Sequence, residues 1–174
     1  MITLLLVYIC DFEKQEKYMA IAIEEAKKAA DIGEVPIGAV IVKDDEIVGR
    51  GFNRIETEND PTLHAEMIAI RDAANTLKSR RLIGCTMYVT AEPCSMCAGA
   101  AVLARLDRVV AGATSDKSGA CGSVKNILES DSLNHRVEYS VGTLGEECSE
   151  IISTFFKELR MSKERNNKTT EELV

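Results

Sequence analysis

Thr86–Ala113 reads TMYVTAEPCSMCAGAAVLARLDRVVAGA. Thr86–Thr90 has the β-branched and aromatic content of a strand, and Glu92-Pro93 interrupts it. Cys94–Arg105, rich in Ala and Met, favours a helix. Arg108–Ala113 returns to a strand. A strand, a helix and a strand in this order predict a parallel pair joined by a right-handed crossover.

Working outward, Ile37–Val42 and Ile47–Phe52 flank Asp44-Asp45 and predict a hairpin. Upstream, Tyr18, Met19, Ala22, Ile23, Ala26 and Ala30 recur at three- and four-residue steps, predicting an amphipathic helix over Glu13–Asp31 that stops at Gly33. Asp60-Pro61 predicts a helix start, with the helix over Thr62–Leu77. Downstream come a Gly- and Ser-bearing loop over 115–134, a short strand at Val137–Val141 and a helix from Gly145 to about Met161.

Helices interspersed among strands predict an α/β sheet covered on both faces. Residues 14–161 form the predicted domain, 1–13 an uncertain N-terminal extension and 162–174 a polar, frayed tail. The apolar Ile2–Cys10 stretch is too short to span a bilayer and lacks a preceding basic residue. It reads as a buried strand or an over-extended translation start. Six cysteines in a chain large enough to fold without staples, with no secretory signal, predict a cytoplasmic protein with reduced thiols.

A formal net charge of −7 argues, taken alone, against a nucleic-acid binder. The C-terminal end runs the other way. Phe155 and Phe156 stand beside Lys157 and Arg160, followed by Lys163, Arg165 and Lys168. Phe155 reads as a core position. Phe156 and Arg160 are candidates for stacking on a base and holding a phosphate, or for an amphipathic helix with a solvated face.

Two fragments carry chemistry: His64-Ala65-Glu66 and Pro93-Cys94-Ser95-Met96-Cys97. Each falls at or near a predicted helix N-terminus, where amide hydrogens and the helix dipole favour thiolates. Cys94 and Cys97, three apart, share a helix face. Two thiolates and an imidazole suit one Zn²⁺ per chain, and three protein ligands leave a fourth position for water. Glu66 is placed to move protons between that water and a substrate. Either fragment alone could be two buried thiols, a redox pair or an ordinary core histidine. A structural zinc site would need a fourth ligand from Cys121, His135 or Cys148. Together the fragments match the zinc-deaminase signature H-x-E…P-C-x-x-C.

Beyond these motifs, EVPIGAV (34–40), DPTLHAEMIAI (60–70), RLIGCTMYVTAEPCSMCAGA (81–100), SGACGS (118–123), NHRVE (134–138) and TFFKELR (154–160) resemble the bacterial tRNA-specific adenosine deaminases, within the cytidine deaminase-like superfamily. The likeness runs from about Lys17 to Arg160. It implies a three-layer α/β/α fold with a central five-stranded mixed sheet, and a homodimer. The implied reaction is hydrolytic deamination of the wobble adenosine of a tRNA anticodon loop to inosine through zinc-activated water, free guanine, cytosine or nucleosides being the alternative substrates. By the same likeness Asn53 hydrogen-bonds the nucleoside, the Glu92-Pro93-Cys94 turn lines the pocket and could offer a backbone amide to developing negative charge, and Lys117 is a candidate phosphate contact. Ser115 stands where the family commonly has an acidic residue that contacts a ribose; its hydroxyl can still bond a 2′-hydroxyl. His135 reads as a loop-ordering or RNA-touching residue.

Overall fold

The structure, a computed structural model, describes the backbone of residues 2–171 and the side chains of residues 11–165. Nine elements follow one another: α1 (Ile2–Asp31), β1 (Gly38–Lys43), β2 (Glu46–Phe52), α2 (Ala65–Leu77), β3 (Cys85–Ala91), α3 (Ser95–Ala104), β4 (Arg108–Ala113), β5 (Glu138–Val141) and α4 (Gly145–Glu171). The strands form one sheet in the order β2-β1-β3-β4-β5. β1 pairs antiparallel with β2 and β3, whereas β3/β4 and β4/β5 are parallel. The expected mixed sheet, hairpin and parallel crossover are all present.

The hairpin turns on Asp44 and Asp45, both at positive φ (48° and 64°). That handedness matches the twist of the strands it joins. Side-chain alternation then sorts the sheet into two faces. Ala39, Ile41, Met87, Val89, Val109 and Ala111 face α2 and α3 in one core. Val40, Val42, Tyr88 and Val110 face the other way, with Tyr18, Met19 and Ala22 of α1 and Cys148 of α4. The result is three layers.

Three boundaries differ from the sequence-based expectation. Ile2–Cys10 continues α1 and is not a strand. Neither Gly nor Pro occurs before Gly33 to stop the helix, and Gln15 Nε2 bonds Asp11 Oδ2 one turn back (2.8 Å). α2 begins at Ala65, not Thr62, because Asp60 caps a turn instead: its Oδ1 accepts from the Thr62 amide (2.8 Å) and hydroxyl (2.7 Å). α4 extends ten residues past the expected Met161, to Glu171, since no Pro or Gly follows Gly145. The Lys168 side chain and residues 172–174 lie outside the described residues.

Among the described residues no helix is long and apolar enough to cross a membrane. Cys85, Cys94, Cys97, Cys121 and Cys148 are all free thiols.

Candidate metal centre and active site

The C-terminal end of β3 leads through Glu92-Pro93 into α3, and Cys94 occupies the N-cap of that helix in an extended conformation. His64 holds the corresponding position on α2. Neither side chain makes a capping bond, although the N-cap is where a side chain ordinarily satisfies a free amide. Both are therefore available elsewhere. His64 Nδ1 lies 3.9 Å from Cys94 Sγ, and Cys94 Sγ lies 3.7 Å from Cys97 Sγ. One donor atom from each of the three falls within 4.8 Å of the others.

The electrostatics suit a cation. Hydrogen bonds from Cys97 and His64 hold the Cys94 thiol far below its ordinary range, toward the thiolate. The same bond with Cys94, reinforced by burial, pushes Cys97 up, and the contact with Cys94 raises His64. Protons thus sit where a metal ion would displace them. Among the described residues no fourth Cys, His or carboxylate joins this group. The alternative fourth ligands are engaged elsewhere. His135 Nε2 is 2.7 Å from the Leu106 carbonyl oxygen, ordering its loop. Cys121 Sγ bonds the Pro93 carbonyl oxygen (3.8 Å), and Cys148 is buried on the opposite face of the sheet.

Glu66, on the first turn of α2, is 4% exposed and its Oε2 has no hydrogen-bond partner. Burial raises its pKa; the nearby His64 charge opposes this and Cys94 adds to it. An unpartnered buried carboxylate oxygen is costly to fold unless something else engages it. Asn53, also 4% exposed, accepts the Ala65 amide proton on Oδ1 (2.9 Å) and so caps α2 in place of His64. The spacing of the sequence gives no sign of this capping role. At the Glu92-Pro93-Cys94 turn, the Glu92 amide is spent on the Ala113 carbonyl (2.8 Å) and Pro93 has none, so neither can serve as the expected donor.

Lys117 lines a cleft of about 300 Å³ with Cys94, Ser95, Ser118 and Lys125. The Ser115 hydroxyl is 2.9 Å from that of Ser118, and the Ser115 amide bonds Glu92 Oε2 (3.1 Å). Phe156 and Arg160 are exposed on α4, in the layer opposite α2 and α3. No hydrogen bond or ion pair joins them to His64, Cys94 or Cys97. Phe155 is half-buried in a groove against α1.

Two buried carboxylates hold loops, a role that the sequence does not signal. Glu34 Oε1 accepts from the Thr57 amide (2.7 Å) and hydroxyl (2.9 Å), holding the loop ahead of α2. Glu92 holds the loop after β4. Burial would raise its pKa, but bonds from Ser123, Ser115 and Cys121 outweigh that and lower it.

Comparison with known proteins agrees with this architecture. A family model for MafB19-like deaminases matches residues 13–160. The tRNA-specific adenosine deaminase of Bacillus subtilis is 48% identical over 159 residues, covering 91% of this chain and 99% of that one. A structure solved in a study of A-to-I editing by tRNA:A34 deaminases superposes with a TM-score of 0.75 at 40% identity, covering 78% of this chain and 98% of that one. The guanine deaminase of Nitrosomonas europaea shares the fold, with a TM-score of 0.69 at 21% identity, covering 80% and 83% of the two chains. With a near-half identity that spans almost the whole of its relative, and with the His/Cys/Cys group and buried glutamate in place, the chain belongs to the tRNA-specific adenosine deaminases.

Proposed function

We propose that this chain converts adenosine to inosine at the wobble position of a tRNA anticodon loop, releasing ammonia, with His64, Cys94 and Cys97 holding one zinc ion. The observation that carries the reading is the convergence of three donor atoms within 4.8 Å, beside a buried carboxylate whose Oε2 is unpartnered. Two sulfurs and one nitrogen are a donor set suited to zinc, with room for a non-protein ligand. When bound, zinc polarises the attacking water and lowers its pKa.

The chain's own groups do the rest. Glu66 takes one proton from the attacking water and delivers it to N1 of adenine, then takes the second from the new six-position hydroxyl and delivers it to the departing amine, so that ammonia leaves and the six-position oxygen of inosine remains. Its burial favours the protonated carboxyl, which suits the donating half of that cycle. Asn53, with Oδ1 fixed on α2, presents Nδ2 as a donor to the nucleoside. Lys117 and Lys125 bring positive charge to the cleft beside Cys94, where an RNA strand would carry its phosphates. An anticodon loop is already unpaired, so presenting one base to the pocket costs little. Ser115 is proposed as a 2′-hydroxyl partner, and Phe156 and Arg160 as contacts to RNA outside the pocket. With tRNA as substrate the working compartment is the cytoplasm.

A homodimer is also proposed. It is supported by the family resemblance and by Leu103 of α3, which is 77% exposed. A monomeric mass by light scattering would reject it.

The test is deamination of an anticodon stem-loop bearing wobble adenosine, with inosine as readout, beside free adenosine, guanine and cytosine. Turnover of the stem-loop is expected, lost in Glu66→Ala with zinc retained. Turnover confined to the free compounds would overturn the substrate, and full activity in Glu66→Ala would remove Glu66 from the mechanism.

A further inference from the structure

Glu92 opens the turn that leads into Cys94, is 4% exposed, and carries no part of the proton chemistry. Its carboxylate instead receives the loop that follows β4. Oε1 accepts from the amides of Cys121 (3.0 Å) and Ser123 (3.1 Å). Oε2 accepts from the Ser115 amide (3.1 Å) and the Ser123 hydroxyl. All the donors are neutral, and backbone amides supply most of them. The loop also meets the turn directly, through the Ala120 amide on the Pro93 carbonyl (2.9 Å). Packing is closed at Gly119, where a Cβ would lie 2.5 Å from the Glu92 carboxylate.

The loop so held is the one that carries Lys117, Ser118 and Lys125, which face Cys94 and Ser95 across the cleft. One buried carboxylate therefore joins the strand-to-helix turn bearing a metal donor to the wall bearing the positive charge. A carboxylate accepts at both oxygens without donating. No other side chain of this length offers that to donors on both sides.

We propose that Glu92 is a positioning residue for substrate binding: it sets the spacing between the Cys94 turn and the Lys117–Lys125 wall, and so determines how firmly the RNA strand is held rather than how fast the base is deaminated. This rests on the RNA-deaminase reading above.

Glu92→Gln keeps the size but leaves at least one backbone N–H facing an amide NH₂. The variant should retain one zinc per chain. Its KM for the anticodon stem-loop should rise about tenfold, as should the Kd measured by fluorescence anisotropy in a Glu66→Ala background, while kcat stays within about threefold. Ser123→Ala, which removes only the hydroxyl, should raise KM by a smaller factor of about three. Hydrogen exchange at the Ser115, Cys121 and Ser123 amides should quicken in Glu92→Gln with the sheet amides unchanged. Loss of zinc, a fall in kcat at unchanged KM, or an unaltered KM would each overturn the proposal. Should the wild-type protein deaminate no stem-loop, the substrate reading falls separately. Loop exchange and the KM for the compound it does convert then decide Glu92, and unchanged values of both in Glu92→Gln overturn its role.

Discussion

Gly51→Ala probes how closely α2 must lie on the sheet to bring His64 and Glu66 to the two cysteines. A methyl group at Gly51 would stand 2.7 Å from the Ala69 amide nitrogen, 3.0 Å from Ile68 Cβ, and nearer still to the Ala65 carbonyl oxygen. Ordinary van der Waals contact for a Cβ begins at 3.4 Å, so α2 must retreat by roughly 1 Å. The obstructing atoms are mostly backbone and cannot rotate aside. The cost should therefore fall in the upper part of the range of about 1–3 kcal/mol typical of overpacked cores. The displaced helix begins at Ala65 and carries Glu66, with His64 as its cap, whereas Cys94 and Cys97 belong to α3. A misplacement of about 1 Å between catalytic groups can lower a rate by about 10²-fold. Urea melts of the zinc-loaded protein and kcat on the stem-loop measure both effects. Gly99→Ala is the control: it lies within α3, and a Cβ there meets nothing within 4 Å. That variant should gain roughly 0.5–1 kcal/mol from helix propensity and keep its kcat. Wild-type stability and turnover in Gly51→Ala would refute the packing argument. Equal damage in Gly99→Ala would show that contact with α2 is not the cause.

Cys94→Ser should cap α3 better than the thiol does, raising apo stability by roughly 0.5–1 kcal/mol while emptying the site of zinc; a full zinc complement in that variant would refute Cys94 as a ligand. Chelation of zinc should abolish deamination and lower the melting temperature, both restored on adding the metal back; a melting temperature indifferent to the chelator would argue against a bound ion. Alkaline pH should destabilise the fold, because burial raises Cys148 from 9.0 to about 12 and Tyr88 from 10.0 to about 12. The unfolded chain releases these protons first, so their stabilisation is complete below pH 9 and declines as pH rises toward 12. Each group contributes up to about 1.4 kcal/mol per pH unit within its window. Melts from pH 8 to 11 that show no decline, or an unchanged one in Cys148→Ala, would contradict this.

The elements most legible in the sequence were those whose pattern is local. Arg108–Ala113 is a strand at both ends as expected, because a short β-branched run bounded by a turn leaves little choice of boundary. The hairpin around Asp44-Asp45 was equally plain. What the sequence hid were decisions made at a distance. The start of α2 depends on Asn53, twelve residues upstream, which takes the Ala65 amide and leaves Asp60 to cap a separate turn. The extents of α1 and α4 depend on the absence of a breaker, which gives no positive signal. For the candidate site, the grouping of His64, Cys94 and Cys97 was legible from residue type and spacing, and Glu66 from its place two residues after His64. Glu34 and Glu92 were not. An isolated Glu in a chain with 28 acidic residues reads as solvated surface, and only the fold shows that both are buried acceptors for loop amides.

The same distinction explains why two helices start on residues that cap them poorly. Ser, Thr, Asp or Asn at an N-cap stabilises a helix by about 1 kcal/mol relative to a residue that makes no cap bond. His64 and Cys94 both occupy N-caps, and neither side chain makes a capping bond. If helix stability alone determined these positions, a better capping residue would serve. What the arrangement provides instead is direction. An N-cap side chain stands at the positive end of the helix dipole, beside amides that favour a thiolate over a thiol. Two such ends brought together at one edge of the sheet give a nitrogen and a sulfur converging from different elements, with Cys97 one turn further along α3. For α2 the lost cap is replaced by Asn53, whose Oδ1 accepts the Ala65 amide proton. The cap is thus made by one residue and the candidate metal donor is another, and the helix start becomes a rigid mount for that donor and for the Glu66 carboxylate on its first turn.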